Sequence, residues 1–581
     1  MSKFMRNPFE YTGANNIPDG DIIDYFVDDN NFARFINSTK NVFLIGERGS
    51  GKTITLLYYS FKIQYRIAKM EGKEPPYDKI GIHITCKESL FDKGEYLLAQ
   101  TEYKRIIFNE HFLVGTLLYA IAKTLGEIPE IVSESNKIQE KLFSDVEYLW
   151  DIQLNHSSKN FFEAITQFVD KEIKASQKRI NSSNSNTFYE NAMSFASTIL
   201  PFLEIVRQID MLSSSHFMLM IDDAQDLNEY HHMILNSWIA YRDHSLFSFK
   251  VASVQVTNPI RYTSSHGSII EGHDYITVNL EQAYQNQETD FYTLSKKIIE
   301  RRLQKVGIIQ SADSFFPTNK SFVEDIYRYK ELAREKAIVK YGEGNKKSIS
   351  DYVYKYHRAM YFRDRDSKAN RPPYSGFDTI IDISTGIIRN MLDPCYWMYD
   401  SALNDNKKEI SEISPTIQNK IILERSEFLW KQLMVIGLDC IIPDCTKQQS
   451  TYIYNFLDQL MILFKQRLQS DISEPCAIVF SISQADSYPN QYEEILQLIE
   501  IARRAQYIYI RLGNAKDKGK REIYYVPNRM LLPSRGLDPH GQFARVSLKV
   551  SDIYNAAHNK TAFPFNASDD NIETNDQLTL F

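Results

Sequence analysis

Asn41-Val42-Phe43-Leu44-Ile45-Gly46-Glu47-Arg48-Gly49-Ser50-Gly51-Lys52-Thr53 sets a short apolar run against a turn with three glycines that ends in Lys-Thr. The run predicts a buried strand, and the segment from Ile54 to Ile67 reads as the helix that follows. Strand, glycine-rich loop and helix in that order are the context in which a P-loop forms. Gly46, Glu47, Arg48, Gly49, Ser50, Gly51, Lys52 and Thr53 fit GxxxxGK[ST] in full. The glycines let consecutive backbone N–H groups turn inward around phosphate oxygens. On this reading Lys52 reaches the β and γ phosphates and the Thr53 hydroxyl ligates a metal, so the expected ligand is ATP with Mg²⁺.

Further strand signals follow in step. Phe217 to Ile221 is an apolar run ending in Asp222-Asp223, Phe249 to Val256 is a third, and Tyr275 to Leu280 a fourth. Strands separated by helical stretches predict an α/β fold with a parallel sheet covered by helices on both faces. The interval to about Ser215 is mostly of helical period, broken by Asn181 to Asn186, and reads as a helical insertion around 86–215. From about Glu288 the pattern turns helical, with Phe291 to Val306 the clearest amphipathic segment and Gly342 to Ser350 a loop. Beyond Ile417 come more helices and two short strands, Gln506 to Leu512 and Arg521 to Val526, which suggest a winged-helix unit. The expected divisions are 1–285, 286–402, 403–565 and a flexible polar tail at 566–581.

A chain of 581 residues needs several cores, and 43% hydrophobic content allows most of it to fold. A net charge of -7 argues against a surface that coats nucleic acid throughout, leaving only a local basic patch. The five cysteines form no CxxC or Cys/His set, so neither a zinc site nor a disulfide framework is expected. No apolar signal core precedes Glu10 and no apolar stretch reads as a membrane span, so the expectation is a soluble, cytoplasmic protein. His231-His232 lie in a helical stretch without matched ligands and read as surface or capping groups.

Hydrolysis requires a carboxylate that holds Mg²⁺ and a group that orients the attacking water. Asp222 is expected in the first role and Asp223 in the second, the alternative being a pair that caps the next helix. With these residues in view the chain resembles an AAA+ ATPase, most of all the origin-recognition and initiator-loader branch in its bacterial type. The likeness rests on Asn7-Pro8-Phe9, Gly46 to Thr53, Phe217 to Leu227 (FMLMIDDAQDL) and Ser384-Thr385-Gly386-Ile387-Ile388-Arg389. It covers about Asn7 to Ala402 and implies that 286–402 is a helical lid whose Arg389, from a GxxR motif, contacts the γ-phosphate. It also implies a polar residue ending the third strand, Asn258 with Thr257 as the neighbouring alternative, and a trans-acting arginine, Arg261, offered to an adjacent subunit. Two departures are an insertion between Lys52 and Asp222 and Asp223 where the family has Glu.

Between Arg503 and Lys549 eleven Lys and Arg face three acids, with tyrosines interleaved. Lys516, Lys518, Lys520 and Arg521 at the hairpin turn would contact DNA phosphates, or would be lysines guarding an edge strand. The chain ends Gln577-Leu578-Thr579-Leu580-Phe581, similar to the QLxLF peptide of proteins that bind the bacterial sliding clamp. Gln577, Leu578, Leu580 and Phe581 would be its anchors, unless this apolar end docks on its own fold. The expected function is an ATP-driven switch in DNA-associated loading or remodelling, or the ATPase of a bacterial anti-phage defence system, with self or companion proteins as partners. The rival is a nucleotide-gated signalling scaffold with little turnover and no DNA contact.

Overall fold

The computed structural model describes residues 7–28, 32–86, 101–181, 192–241, 245–254, 259–280, 288–367, 372–405, 410–514, 521–565 and 572–573. The chain divides into two compact units, Gly13–Leu294 and a second built from Met1–Thr12 with Ser295–Phe581.

The first unit holds β1 (Val42–Ile45), β2 (Lys79–Thr85), β3 (His216–Asp222), β4 (Phe247–Ser253) and β5 (Ile276–Asn279), all parallel and ordered β2-β3-β4-β1-β5. Alternation along the strands explains why both faces are covered. Phe43, Leu219, Ile221, Phe249 and Val251 enter one core, beneath the helices Glu102–Gly126 and Glu229–Ile239. Val42, Leu44, Met218, Met220 and Ala252 enter the other, with Leu56 and Tyr59 of the helix Lys52–Tyr59. The expected α/β sheet with helices on both faces is therefore present.

Two local expectations are corrected. The interval read as helical after the P-loop contains β2, whose Ile80, Ile82 and Ile84 alternate with Lys79, Gly81, His83 and Thr85. The single helix expected to Ile67 is two helices, Lys52–Tyr59 and Phe61–Glu71, broken at Ser60. Ser60 takes an extended conformation (φ -65°, ψ 147°), and its hydroxyl donates to Leu57 O at 2.6 Å. The break lets the chain settle on β2 at Gly81, where a Cβ would stand 2.6 Å from Tyr59 O. The helix Glu102–Gly126 is, among the described residues, the one long and apolar enough to cross a membrane, but 61% of its apolar window is buried in this core.

In the second unit the helices Lys320–Tyr341 and Lys346–Ser367 form a long hairpin, the second resuming inside the stretch read as a loop. A second sheet follows, ordered β10-β9-β6-β8-β7, of β6 (Ala477–Ser483), β7 (Ile508–Asn514), β8 (Arg521–Pro527), β9 (Gln542–Lys549) and β10 (Ile572–Glu573). The expected hairpin is β7 and β8, antiparallel from Ile508↔Pro527 to Asn514↔Arg521. β6 joins β8 antiparallel, and the helix Pro489–Arg504 precedes the hairpin, which gives the winged-helix-like element order. The sheet then extends through β9, parallel to β6. Ile572–Glu573, in the stretch expected as a free tail, pairs with β9 at Val546 and Arg545.

Candidate nucleotide site

The P-loop leaves β1 at the carboxyl edge of the first sheet. Gly49 and Gly51 take φ of 92° and 101°, left-handed values that a side chain would oppose. A Cβ on Gly46 would lie 2.6 Å from Ser50 Oγ, so a side chain there would have to push the Ser50 hydroxyl aside. Its base is tied to both neighbouring strands: Gly46 N–H donates to Ser253 O at 3.2 Å and Leu280 N–H to Ile45 O at 2.9 Å.

Lys52, the first residue of its helix, is buried, and its ammonium donates to Gly46 O at 2.7 Å and Glu47 O at 3.0 Å. Hydrogen bonds from a charged donor are worth roughly 1.5–3 kcal/mol each, so these two carbonyls hold the cation inside the loop. Ser50 Oγ is buried with no hydrogen-bond partner among the described residues. A buried cation, an orphaned hydroxyl and glycines that keep side chains out form a cradle suited to a polyanion.

Asp222 ends β3 and is fully buried. Between it and the P-loop stands one strand, β4, whose register pairs Ile221 with Val251 and Ile45 with Ser253. Asp222 is thus level with Leu44 of β1 and two strand spacings away, roughly 10 Å. Its Oδ1 accepts from Asp223 N–H at 2.9 Å, and Oδ2 lies 3.4 Å from His83 Nε2. Asp223 adopts a left-handed conformation (φ 55°), turning the chain out of the sheet, and Gln225 Nε2 donates to its Oδ1 at 3.0 Å. Neither aspartate caps the following helix. Asn228 does, accepting from His231 N–H at 2.9 Å. Arg48 in the P-loop pairs with Asp226 at 3.2 Å, linking the two sides of the site across a solvent-exposed gap.

His83 escaped the sequence reading because β2 did. It shares with Met220 and Asp222 the sheet face that carries the P-loop helix, and the one sign of it was a polar residue inside an Ile-x-Ile alternation. The surface role expected for His231 is corrected: it is fully buried, and burial pushes its pKa down to about 3 and that of His232 to about 4, so both stay neutral.

Arg261 lies in the ordered connection before β5. Its guanidinium sits 4.5 Å from the Phe43 ring centroid and 5.2 Å from that of Tyr275, and Nε donates to the Tyr275 hydroxyl at 3.1 Å. It therefore staples this connection to the sheet.

In the second unit, the Ser384 to Arg389 motif is a turn between the helices Phe377–Ile383 and Ile388–Asp405. Thr385 (φ 58°) and Gly386 (φ 77°) are both left-handed. The strained threonine is held from the sheet side: its Oγ1 accepts from Arg529 N–H at 3.0 Å and its carbonyl from Arg511 Nη2 at 3.4 Å. Asn390, next to Arg389, donates to the Tyr509 hydroxyl at 2.7 Å. Thr257, Asn258, Lys516, Lys518, Lys520, the Arg521 side chain, Gln577, Leu578, Leu580 and Phe581 lie outside the described residues.

No curated protein matches this chain. The ORC-CDC6-like family model matches residues 7–338 and 319–548. That span takes in the P-loop, the β3 aspartates, the GxxR turn and the hairpin sheet, and the chain belongs to the ORC-CDC6-like family, AAA+ P-loop ATPases of the initiator-loader type.

Proposed function

We propose that this chain binds ATP with Mg²⁺ at Gly46 to Thr53 and hydrolyses it as a conformational switch in the loading or remodelling of protein on DNA. One observation carries the reading: a buried Lys52 ammonium held by two P-loop carbonyls, with the buried Asp222 carboxylate two strands over at the same sheet edge. Lys52 would exchange Gly46 O and Glu47 O for phosphate oxygens, which are stronger acceptors for a cation. The Thr53 hydroxyl and Asp222 would hold Mg²⁺. The metal, when bound, screens the charge of the phosphate oxygens so that water can approach. His83 orients the Asp222 carboxylate from the β2 side. Asp223, turned out of the sheet, would polarise the attacking water, with a shorter reach than a glutamate in that place.

Arg389 as the γ-phosphate contact, Asn258 as the strand-end polar group and Arg261 as an arginine given to a neighbour remain proposals drawn from the family. The embrace of Arg261 by Phe43 and Tyr275 requires that it be released before it could act in trans. The tight fixing of the GxxR turn to Arg511, Arg529 and Tyr509 supports a switch that is felt in the hairpin sheet, where the basic patch would meet DNA phosphates. ATP turnover measured with and without duplex DNA tests the proposal. Stimulation by DNA that disappears in Lys52→Ala supports it, and turnover indifferent to DNA removes the DNA-associated role.

A further inference from the structure

The helical hairpin of the second unit borders an open cleft of about 500 Å³ that no step above uses. One wall is formed by the helices Lys320–Tyr341 and Lys346–Ser367, the other by Asp378, Cys476 and the His540-Gly541 turn. Two of its lining residues, Arg358 and His540, are held by carboxylates. Arg358 donates from Nε and Nη2 to the two oxygens of Asp538 at 2.5 and 2.7 Å. His540 Nδ1 lies 3.1 Å from Asp382 Oδ2, and that hydrogen bond raises the imidazole pKa, favouring the cation.

These pairs leave hydrogen-bonding capacity unused. Arg358 Nη1 and His540 Nε2 have no hydrogen-bond partner among the described residues, and both residues line the cavity. Lys330 and Asp378 also line it, their side chains without a hydrogen bond or ion pair among the described residues; Lys330 is exposed, whereas burial beside the cavity raises the Asp378 carboxyl pKa although its surface remains open to solvent. His357 donates from Nδ1 to Val353 O at 2.7 Å, and burial lowers its pKa to about 4, so its Nε2 remains an acceptor. Tyr327 (67% exposed) and Tyr354 (48% exposed) form an aromatic rim. Two cations, Lys330 and Arg358, the His540 imidazole, two acceptors and aromatic rings around one space ask for a ligand with an anionic end, N–H donors and a planar ring.

We propose that this cavity binds a nucleoside monophosphate, with Lys330 and Arg358 on the phosphate and Asp378 and His357 on N–H groups of the base. The volume exceeds what a single amino acid needs and suits a mononucleotide. The site lies wholly in the second unit and does not depend on the P-loop reading.

Isothermal titration of the 581-residue chain carrying Lys52→Ala, which disables the P-loop, with AMP, GMP, CMP and UMP tests the proposal. At least one should bind with one-to-one stoichiometry. Adding Lys330→Glu should weaken it by about tenfold or more while leaving the parent nucleoside unaffected. Asp378→Asn should weaken the nucleotide but not ribose 5-phosphate. Neither side chain carries a hydrogen bond or ion pair among the described residues, so unchanged unfolding midpoints should accompany these losses. The proposal is overturned if none of the four binds at millimolar concentration, if binding survives both substitutions, or if inorganic phosphate binds as tightly as the nucleotide.

Discussion

Gly81→Ala should destabilise the chain and loosen its nucleotide site, although residue 81 touches no P-loop atom. An ideal Cβ there stands 2.6 Å from Tyr59 O and 2.8 Å from Met220 Cε, where ordinary contact begins at 3.4 Å. The obstacle at 2.6 Å is backbone and cannot rotate away, so β2 or the end of the helix Lys52–Tyr59 must move by about 0.8 Å, the difference between 3.4 and 2.6 Å. Overpacking of this kind costs typically 1–3 kcal/mol. A loss of roughly 2 kcal/mol, at about 2.1 cal/mol/K per residue, lowers the unfolding midpoint of a unit of this size by about 3–4 °C. One of the two elements pressed apart is the helix that begins with Lys52, so the stabilisation conferred by MgATP should fall as well. Differential scanning calorimetry with and without MgATP reads both effects. Gly344→Ala is the control, because a Cβ at Gly344 meets nothing within 4 Å. A Gly81→Ala chain as stable as Gly344→Ala would refute the packing argument.

Asp222→Asn should abolish Mg²⁺-dependent hydrolysis while the chain still binds nucleotide in EDTA, measured by phosphate release and equilibrium dialysis. His83→Phe, which removes the group 3.4 Å from Asp222 Oδ2, should raise the Mg²⁺ concentration needed for half-maximal turnover, and an unchanged requirement would exclude a positioning role. Arg261→Met should destabilise the first unit by about 1–2 kcal/mol through loss of the cation–ring contacts, read as a lower unfolding midpoint. Lys250 is buried, donates to Ser38 O and Lys40 O, and has a pKa lowered by burial and by Lys79 from 10.5 to about 7. Its folded pKa lies below the unfolded one, so between pH 7 and 10.5 the folded chain binds fewer protons and stability rises with pH. Relative to Lys250→Met, stability should therefore climb by up to about 1.4 kcal/mol per pH unit in that window, and a difference flat with pH would contradict the burial argument.

What was legible in the sequence follows from how each element is solvated. β1 and β3 are buried on both faces, so they read as the continuous runs Val42 to Ile45 and Phe217 to Ile221. The P-loop was legible because only glycine tolerates its turns. β2 was hidden, since one of its faces carries Lys79, Gly81, His83 and Thr85, and with it went His83. The helix break at Ser60 answers to Gly81 on another strand, a contact no local pattern announces. For Arg261 the sequence gives its place between strands but not the Phe43 and Tyr275 rings that hold it. The GxxR motif was visible, whereas its attachment to Arg511, Arg529 and Tyr509 joins residues more than a hundred positions apart.

The central claim is tested most directly by phosphate release from MgATP by the purified chain, wild type beside Lys52→Ala and Asp222→Asn. The wild type should release phosphate steadily, Lys52→Ala should lose both binding and release, and Asp222→Asn should lose release alone. A wild-type chain that binds no MgATP, or an Asp222→Asn chain that turns over at the wild-type rate, would contradict the claim.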